Sequence, residues 1–402
     1  MTSEDFSADR NGETSIPRGM GTLAALMGAS CLTAMTATAI TPSLPAMAET
    51  FSKTRHAQFL AQIALTLPAL MVATTATPVG VLVDRIGARA VLVFCTVLFA
   101  FSGSVGLYAW NFPLLLASRA LLGLAIAGIS TGALALVGSL YQGDKRHHVV
   151  GLQGAASSFG GMTFLMLAGL VAATSWRLPF AIYLLSLPLL PLFLLFLPRA
   201  VDKQNAADRT AETEDVAWVQ VTLAYTGALV GMILFYVIPV QLPFHLADHG
   251  YNDPALTGYA LSLCTLCGGI SASFYNRIRQ RMTPLPIIAI AFILIGTGQL
   301  LAVYGNYAAI LAGMAVAGTS TGLLLPTVHG LVLASTPVSK HGRFIGGVSS
   351  ALFIGQFAAP VSASIAASIV GTVFLGSSIA ALVVALALLL GQLRAKRDQN
   401  SA

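Results

Sequence analysis

The chain has 402 residues, 56% of them hydrophobic and 9% charged, and a mean hydropathy of +0.81. Soluble domains carry about 25% charged residues, so a fold of this size in water could not hide that apolar surface, and its solvent must be lipid. The net charge of +6 comes from basic residues scattered singly or in short groups, which is a topology signal and not a nucleic-acid-binding patch.

Residues 1–18 are polar, with Glu4, Asp5, Asp9, Arg10, Glu13 and Arg18, and read as a disordered cytoplasmic tail. The first apolar run, 21–41, exceeds the ~7–15-residue apolar region of a secretory signal. It reads as a retained span, although Ala46 and Ala48 resemble a cleavage site. Further runs lie at 58–82, 90–109, 113–140, 149–173 and 178–197, followed by a charged linker over 198–216. Six more lie at 217–243, 256–275, 284–303, 307–336, 343–370 and 373–393, and 394–402 is a short basic tail.

Serial runs of about 20 residues or more specify helices, not barrel strands. The expected fold is an all-α membrane protein of twelve transmembrane helices in two six-helix bundles, 19–197 and 217–393. With the amino terminus cytoplasmic, 17 of the 21 Lys and Arg fall on the cytoplasmic face. Only Lys53, Arg55 and Arg177 face the other way, and Arg119 lies inside a span. This is the positive-inside pattern, here expected in a bacterial inner membrane with both termini cytoplasmic.

Between the second and third runs stand Gly80, Asp84, Arg85, Gly87 and Arg89, with Ala88 before the last. Their spacing resembles the signature loop between helices two and three of the major facilitator superfamily of secondary transporters. Ala88 replaces the first of that loop's two final basic residues. The proline-containing end of the first run, Pro42 and Pro45, resembles drug-efflux members, as do Trp176, Arg177 and Pro179 before the sixth. The fifth run departs from that branch: Gly160 and Gly161 are present, but no Gly-Pro pair.

The halves share a string. Gly123, Gly128, Ser130, Thr131 and Gly132 recur as Gly313, Gly318, Ser320, Thr321 and Gly322, an offset of 190 residues (313 − 123). It falls in the fourth and tenth spans and is expected to mark a duplication, with the transport site between pseudo-symmetric halves. Small residues also let transmembrane backbones approach closely.

Candidate functional residues follow from what lipid tolerates. Arg119 must face a cavity, water or carbonyls. With Leu115 and Gly123 it resembles the superfamily's fourth-helix motif, which implies proton coupling or packing; the alternatives are a structural bond to carbonyls of the first span near the mouth and, in an importer, substrate binding. All 15 Asp and Glu lie in tails, loops or span ends. A buried cation needs a counter-charge, so neutral or anionic cargo is expected. His329, after Pro326, is then the internal titrating candidate, or else donates to a carbonyl freed by the proline.

Thr33, Thr36, Gln153, Tyr236, Gln241, Phe353 and Gln356 are expected to line the cavity, with Gln299 a further polar candidate. By the resemblance, Asp84 is a conformational latch to helix eleven, where Arg343 adds a charge partner. His245 and His249 with Asp248 and Asp253 have loose spacing for metal, and Cys264 and Cys267 read as small core residues, as do the isolated Cys31 and Cys95. No phosphate loop, paired carboxylates or metal quartet appears, so no enzyme and no cofactor is expected.

The sequence is thus read as a secondary transporter exporting small amphiphiles by alternating access, coupled to protons and acting as a monomer. A facilitator or importer of a small anion or metabolite, and a membrane sensor that moves nothing, are the rival readings.

Overall fold

The structure is a computed structural model describing residues 18–141, 143–198, 216–337 and 340–401. The expected amino-terminal tail as far as residue 17, and the linker over 199–215, lie outside the described residues.

Twelve helical segments among the described residues are long and apolar enough to cross a bilayer. Span one is Arg18–Thr38, continued by a 3-10 turn, Thr41–Ser43, and a short helix, Leu44–Thr50. Span two is Ala57–Ile86, span three Ala88–Ser104 with a 3-10 turn Val105–Leu107, span four Phe112–Leu140 and span five Gly143–Ala172. Span six is a 3-10 stretch, Leu178–Ser186, followed by the helix Leu189–Phe196. Spans seven to twelve are Trp218–Asp248, Pro254–Arg281, Pro284–Ala302, Tyr307–Ser335, His341–Val370 and Val373–Ser401. The last helix therefore continues through the segment expected to be a separate basic tail.

Local chemistry sets these ends. Asn111, Asp253 and Asn306 cap spans four, eight and ten, their side chains accepting from Leu114 N, Ala255 N and Ala308 N at 2.9 Å each, which satisfies an orphan helix donor. Gly87 (φ +91°) lets the chain leave span two and enter span three without an intervening loop, a backbone angle costly for other residues. Span six is 3-10 over its first half, which Pro179 opens and Pro188 follows.

The two halves repeat, but not in the register the shared string gives. Spans four and ten both have 29 residues, and their caps Asn111 and Asn306 are 195 residues apart (306 − 111). Cavity-lining pairs obey the same spacing, Ile126 with Thr321 and Ser130 with Leu325. At an offset of 190, Ser130 lines the cavity while its supposed counterpart Ser320 is buried elsewhere. Five residues are about 140° of helix rotation, so the two glycine strings face different neighbours. Gly123 lies on Pro68 of span two, but Gly313 lies on Gly298 of span nine.

Each half packs its own core, and the cores join towards one face. Val240, Phe244 and Ala359 belong to the cluster built by the first six spans, and Leu165 belongs to a cluster of the last six. We call this the distal face, and the one holding Pro198 and Val216 the linker face. The short helix and turn ending span one pack on spans seven and eight and close the distal side.

The seam between spans five and eight shows how the halves diverge. A methyl built on Gly169 would come within 3.0 Å of Pro254 O and 3.1 Å of Gly258 Cα. Nearer the linker face, Ser262 Oγ donates to Met162 O at 3.1 Å, and a Cβ on Gly269 would sit 3.8 Å from Ser158 Cβ. At Gly154, about 22 Å along span five from Gly169, nothing lies within 4 Å of such a Cβ. The helices meet distally and part towards the linker face.

Candidate transport cavity

That divergence creates a central cavity of about 940 Å³, within the range of small-molecule sites. Spans one, two, four and five supply one wall, and spans seven, eight, ten and eleven the other. Prolines stand on both sides: Pro68 in span two and Pro326 in span ten lie inside continuous helices at the lining, and each removes one amide donor.

Of the expected lining residues, Thr33, Thr36, Tyr236, Phe353 and Gln356 line this cavity, as does His329. The hydroxyls of Thr33 and Thr36 donate to their own helix, at Ser30 O (2.7 Å) and Leu32 O (3.4 Å). Gln241 does not line it. It belongs to a separate pocket of about 320 Å³ at the distal face, with Gln58, His245 and Asp248. Gln153 is half-buried and outside the lining. Gln299 is fully buried and donates from Nε2 to Leu234 O at 2.7 Å, tying span nine to span seven.

His329 Nδ1 lies 2.8 Å from Leu325 O. A carbonyl can only accept, so Nδ1 carries the proton and Nε2 is left as the acceptor. The carbonyl that Pro326 deprives of its amide partner is that of Gly322, four residues back; His329 bonds to Leu325 instead, which corrects the expectation of a proline-freed acceptor.

Arg119 lies away from the cavity, and the carbonyls it meets belong to span three, not to the first span as expected. It is fully buried, and Nη2 donates to Ser102 O and Gly103 O at 3.0 and 2.7 Å, the last carbonyls of span three. Its guanidinium stands 5.1 Å from the Phe180 ring and 5.2 Å from that of Tyr183, both of span six. Arg177 continues the task one turn on, donating to Gly106 O and Ala109 O at 3.1 and 2.8 Å.

The residues expected to form a signature loop lie at the linker face but are helical, Gly80 to Ile86 closing span two and Ala88 and Arg89 opening span three, with Gly87 alone between them. Asp84 and Arg85 are exposed, as is Arg343, and no ion pair joins Asp84 to Arg343 among the described residues. Gly80 has only Thr131 Cγ2 at 4.0 Å. Arg89 donates to Leu194 O, capping the end of span six. The contact expected between Asp84 and Arg343 is thus not made in this structure.

His245 Nε2 donates to Ala302 O and His249 Nδ1 to His245 O, each at 2.8 Å. No group of three His, Cys, Asp or Glu among the described residues could hold a metal. Cys264 lines the cavity and Cys267 does not. The lining also includes Met232 and Phe235, which nothing in the sequence marks, and Thr321. Thr321 stands in the repeated string, and that was the available signal.

Known proteins place this architecture. The sequence matches the Major Facilitator Superfamily profile over residues 26–295 and 223–402. It is 23% identical over 383 residues to the bacillibactin exporter of Bacillus subtilis strain 168, covering 89% of this chain and 93% of that one. It is 23% identical over 296 residues to the 3-(3-hydroxy-phenyl)propionate transporter of Escherichia coli K12, covering 70% of each.

Among solved structures, the D-xylose-proton symporter superimposes with a TM-score of 0.73 at 14% identity, covering 92% of this chain and 97% of that one. An inward-facing, occupied bacterial homologue of the lysosomal transporter Spinster gives 0.75 at 14% identity, with 94% and 98% covered. Matched over most of its length and folded as twelve spans around a cavity between two halves, this chain is an integral membrane transporter belonging to the Major Facilitator Superfamily.

Proposed function

We propose that the protein exports small neutral or anionic amphiphiles, coupled to protons, by alternating access around the central cavity. The lining carries this reading: large, mostly apolar, with a few hydroxyl, amide and imidazole groups and no carboxylate. A cation moved into such a site would have no counter-charge, and an unpaired buried charge is expensive. His329 is the imidazole in the lining, with Nδ1 donating to Leu325 O and Nε2 left as an acceptor. The similarity to an exporter over 89% of the chain supports outward transport. The second relative's cargo is, by its name, an aromatic carboxylate, which supports an anionic cargo.

That relative also favours one rival reading, a facilitator or importer of a small anion. Arg119 would not bind the anion, because it lies behind span three. Both bundles, 19–197 and 217–393, are proposed to move as units with the termini cytoplasmic in a bacterial inner membrane, the protein acting as a monomer.

Flux into vesicles of the purified protein tests this. With 3-(3-hydroxyphenyl)propionate as probe, an imposed pH gradient should drive accumulation, and a quaternary aromatic cation of similar size should not move. Equilibration without accumulation would give the facilitator, and no flux of any probe would give the sensor.

A further inference from the structure

A second cavity, of about 510 Å³, lies between spans five and eight. It shares Gly154, Ser158, Thr265, Gly269 and Ala272 with the central cavity, so the two adjoin along those five residues. Its other wall residues include Phe159, Leu266 and Ile270, which are 65%, 39% and 51% exposed. Both helices are membrane spans, and the opening lies along their mid-to-linker portion. What faces those side chains there is hydrocarbon.

The wall is apolar in effect as well as in composition. Each hydroxyl in it is spent on its own helix: Ser158 Oγ donates to Gly154 O at 3.1 Å, Thr265 Oγ1 to Leu261 O at 3.0 Å and Ser273 Oγ to Gly269 O at 3.2 Å. No donor is left over for a chain of water, and in lipid a polar group without a partner is costly. The glycines supply width: a Cβ at Gly154 would meet nothing within 4 Å. A gap of this kind fits an acyl or other hydrocarbon chain.

We propose that this gap is a lateral portal through which the apolar part of an amphiphile passes between the bilayer and the cavity, and that a lipid acyl chain fills it when no cargo is present. The proposal rests on the reading of the cavity as a site for amphiphiles. It adds the route: cargo is drawn from the leaflet on the linker side, so its effective concentration is that in the membrane.

A fixed fluorophore tests the portal without any cargo. It is attached to Ala272→Cys in full-length protein whose Cys31, Cys95, Cys264 and Cys267 are replaced by alanine. The protein is reconstituted in phosphatidylcholine vesicles with or without bromine on the acyl chains. Brominated chains should quench the label. Gly154→Leu with Gly269→Leu should reduce that quenching at least twofold and leave quenching by aqueous iodide unchanged. The single Gly154→Leu variant, which meets no neighbour, should give a smaller reduction and guards against misfolding of the double variant.

Absence of bromine quenching, or quenching that the plugs leave unaltered, overturns the portal. Flux that fails while bromine quenching persists would overturn the transport reading and leave the portal standing.

Discussion

Two arginines complete the end of span three inside the protein. Helix-terminal carbonyls are orphan acceptors, and in lipid no water reaches them. Arg119 takes those of Ser102 and Gly103, and Arg177 those of Gly106 and Ala109. Charge-assisted hydrogen bonds are worth about 1.5–3 kcal/mol each. Arg119→Leu should therefore lower the thermal unfolding midpoint in detergent by several degrees, and Arg119→Lys, with one compact donor head, by less. If Arg119→Lys were fully stable yet uncoupled from protons, capping would be the wrong role. The sequence shows that Arg119 is buried. It does not show which carbonyls it meets, because these lie in another span. His329 is a separate case at this scale. Its Nδ1 donates to Leu325 O, which leaves Nε2 as an acceptor on the cavity lining. A neutral hydrogen bond contributes about 0.5–1.5 kcal/mol. His329→Phe should therefore weaken binding of the hydroxyaryl probe several-fold by calorimetry, and an unchanged Kd would place the cargo away from His329.

Span boundaries were readable because apolar runs end where charge begins. The second, eighth and eleventh helices run a few residues past their apolar runs, into the charged segments that carry Asp84, Arg281 and His341. Which way each helix faces was not readable. A helix apolar all round has no polar stripe to mark its orientation, so Gln241 and Gln153 could not be told from Gln356. The same uniformity made the 190-residue string look like the repeat, when caps and lining residues follow 195. Span six reads as an ordinary helical run, and only Pro179 and Pro188 hint at its 3-10 half. The seam of spans five and eight tests the consequence of close approach. Gly169 and Gly258 bring the two backbones together distally, and a side chain there must push the halves apart. Overpacking costs about 1–3 kcal/mol, which is roughly 5- to 150-fold in an equilibrium between conformers. Gly169→Leu should deplete the distally closed conformer, read as longer distances between spin labels on the distal loops, with Gly154→Leu as the control that leaves them unchanged. Equal distributions in the two variants would mean that the distal contact does not set the balance.

At the scale of the whole molecule, alternating access requires the linker face to close as the distal face opens. On the proposed mechanism, this structure is the conformer closed at the distal face. Cores are continuous distally, the linker ends of spans five and eight are apart, and Asp84 and Arg343 are both exposed without an ion pair between them among the described residues. If closure brings Asp84 to span eleven, the pair contributes only in the distally open conformer, and its effect is on populations and not on overall stability. An exposed pair is worth about 0.2–1 kcal/mol, so Asp84→Asn should enrich the present conformer by a factor of roughly 1.5 to 5. Spin labels on Lys145→Cys and Arg279→Cys, at the linker ends of spans five and eight in opposite halves, would report this as a larger long-distance fraction. Arg343→Gln should do the same, and the double variant should add little to either single one, because both remove a single contact. Additive effects would mean that the two residues act separately. An unchanged distance distribution in Asp84→Asn would mean that the signature loop does not latch the halves, and closure would then rest on apolar packing alone.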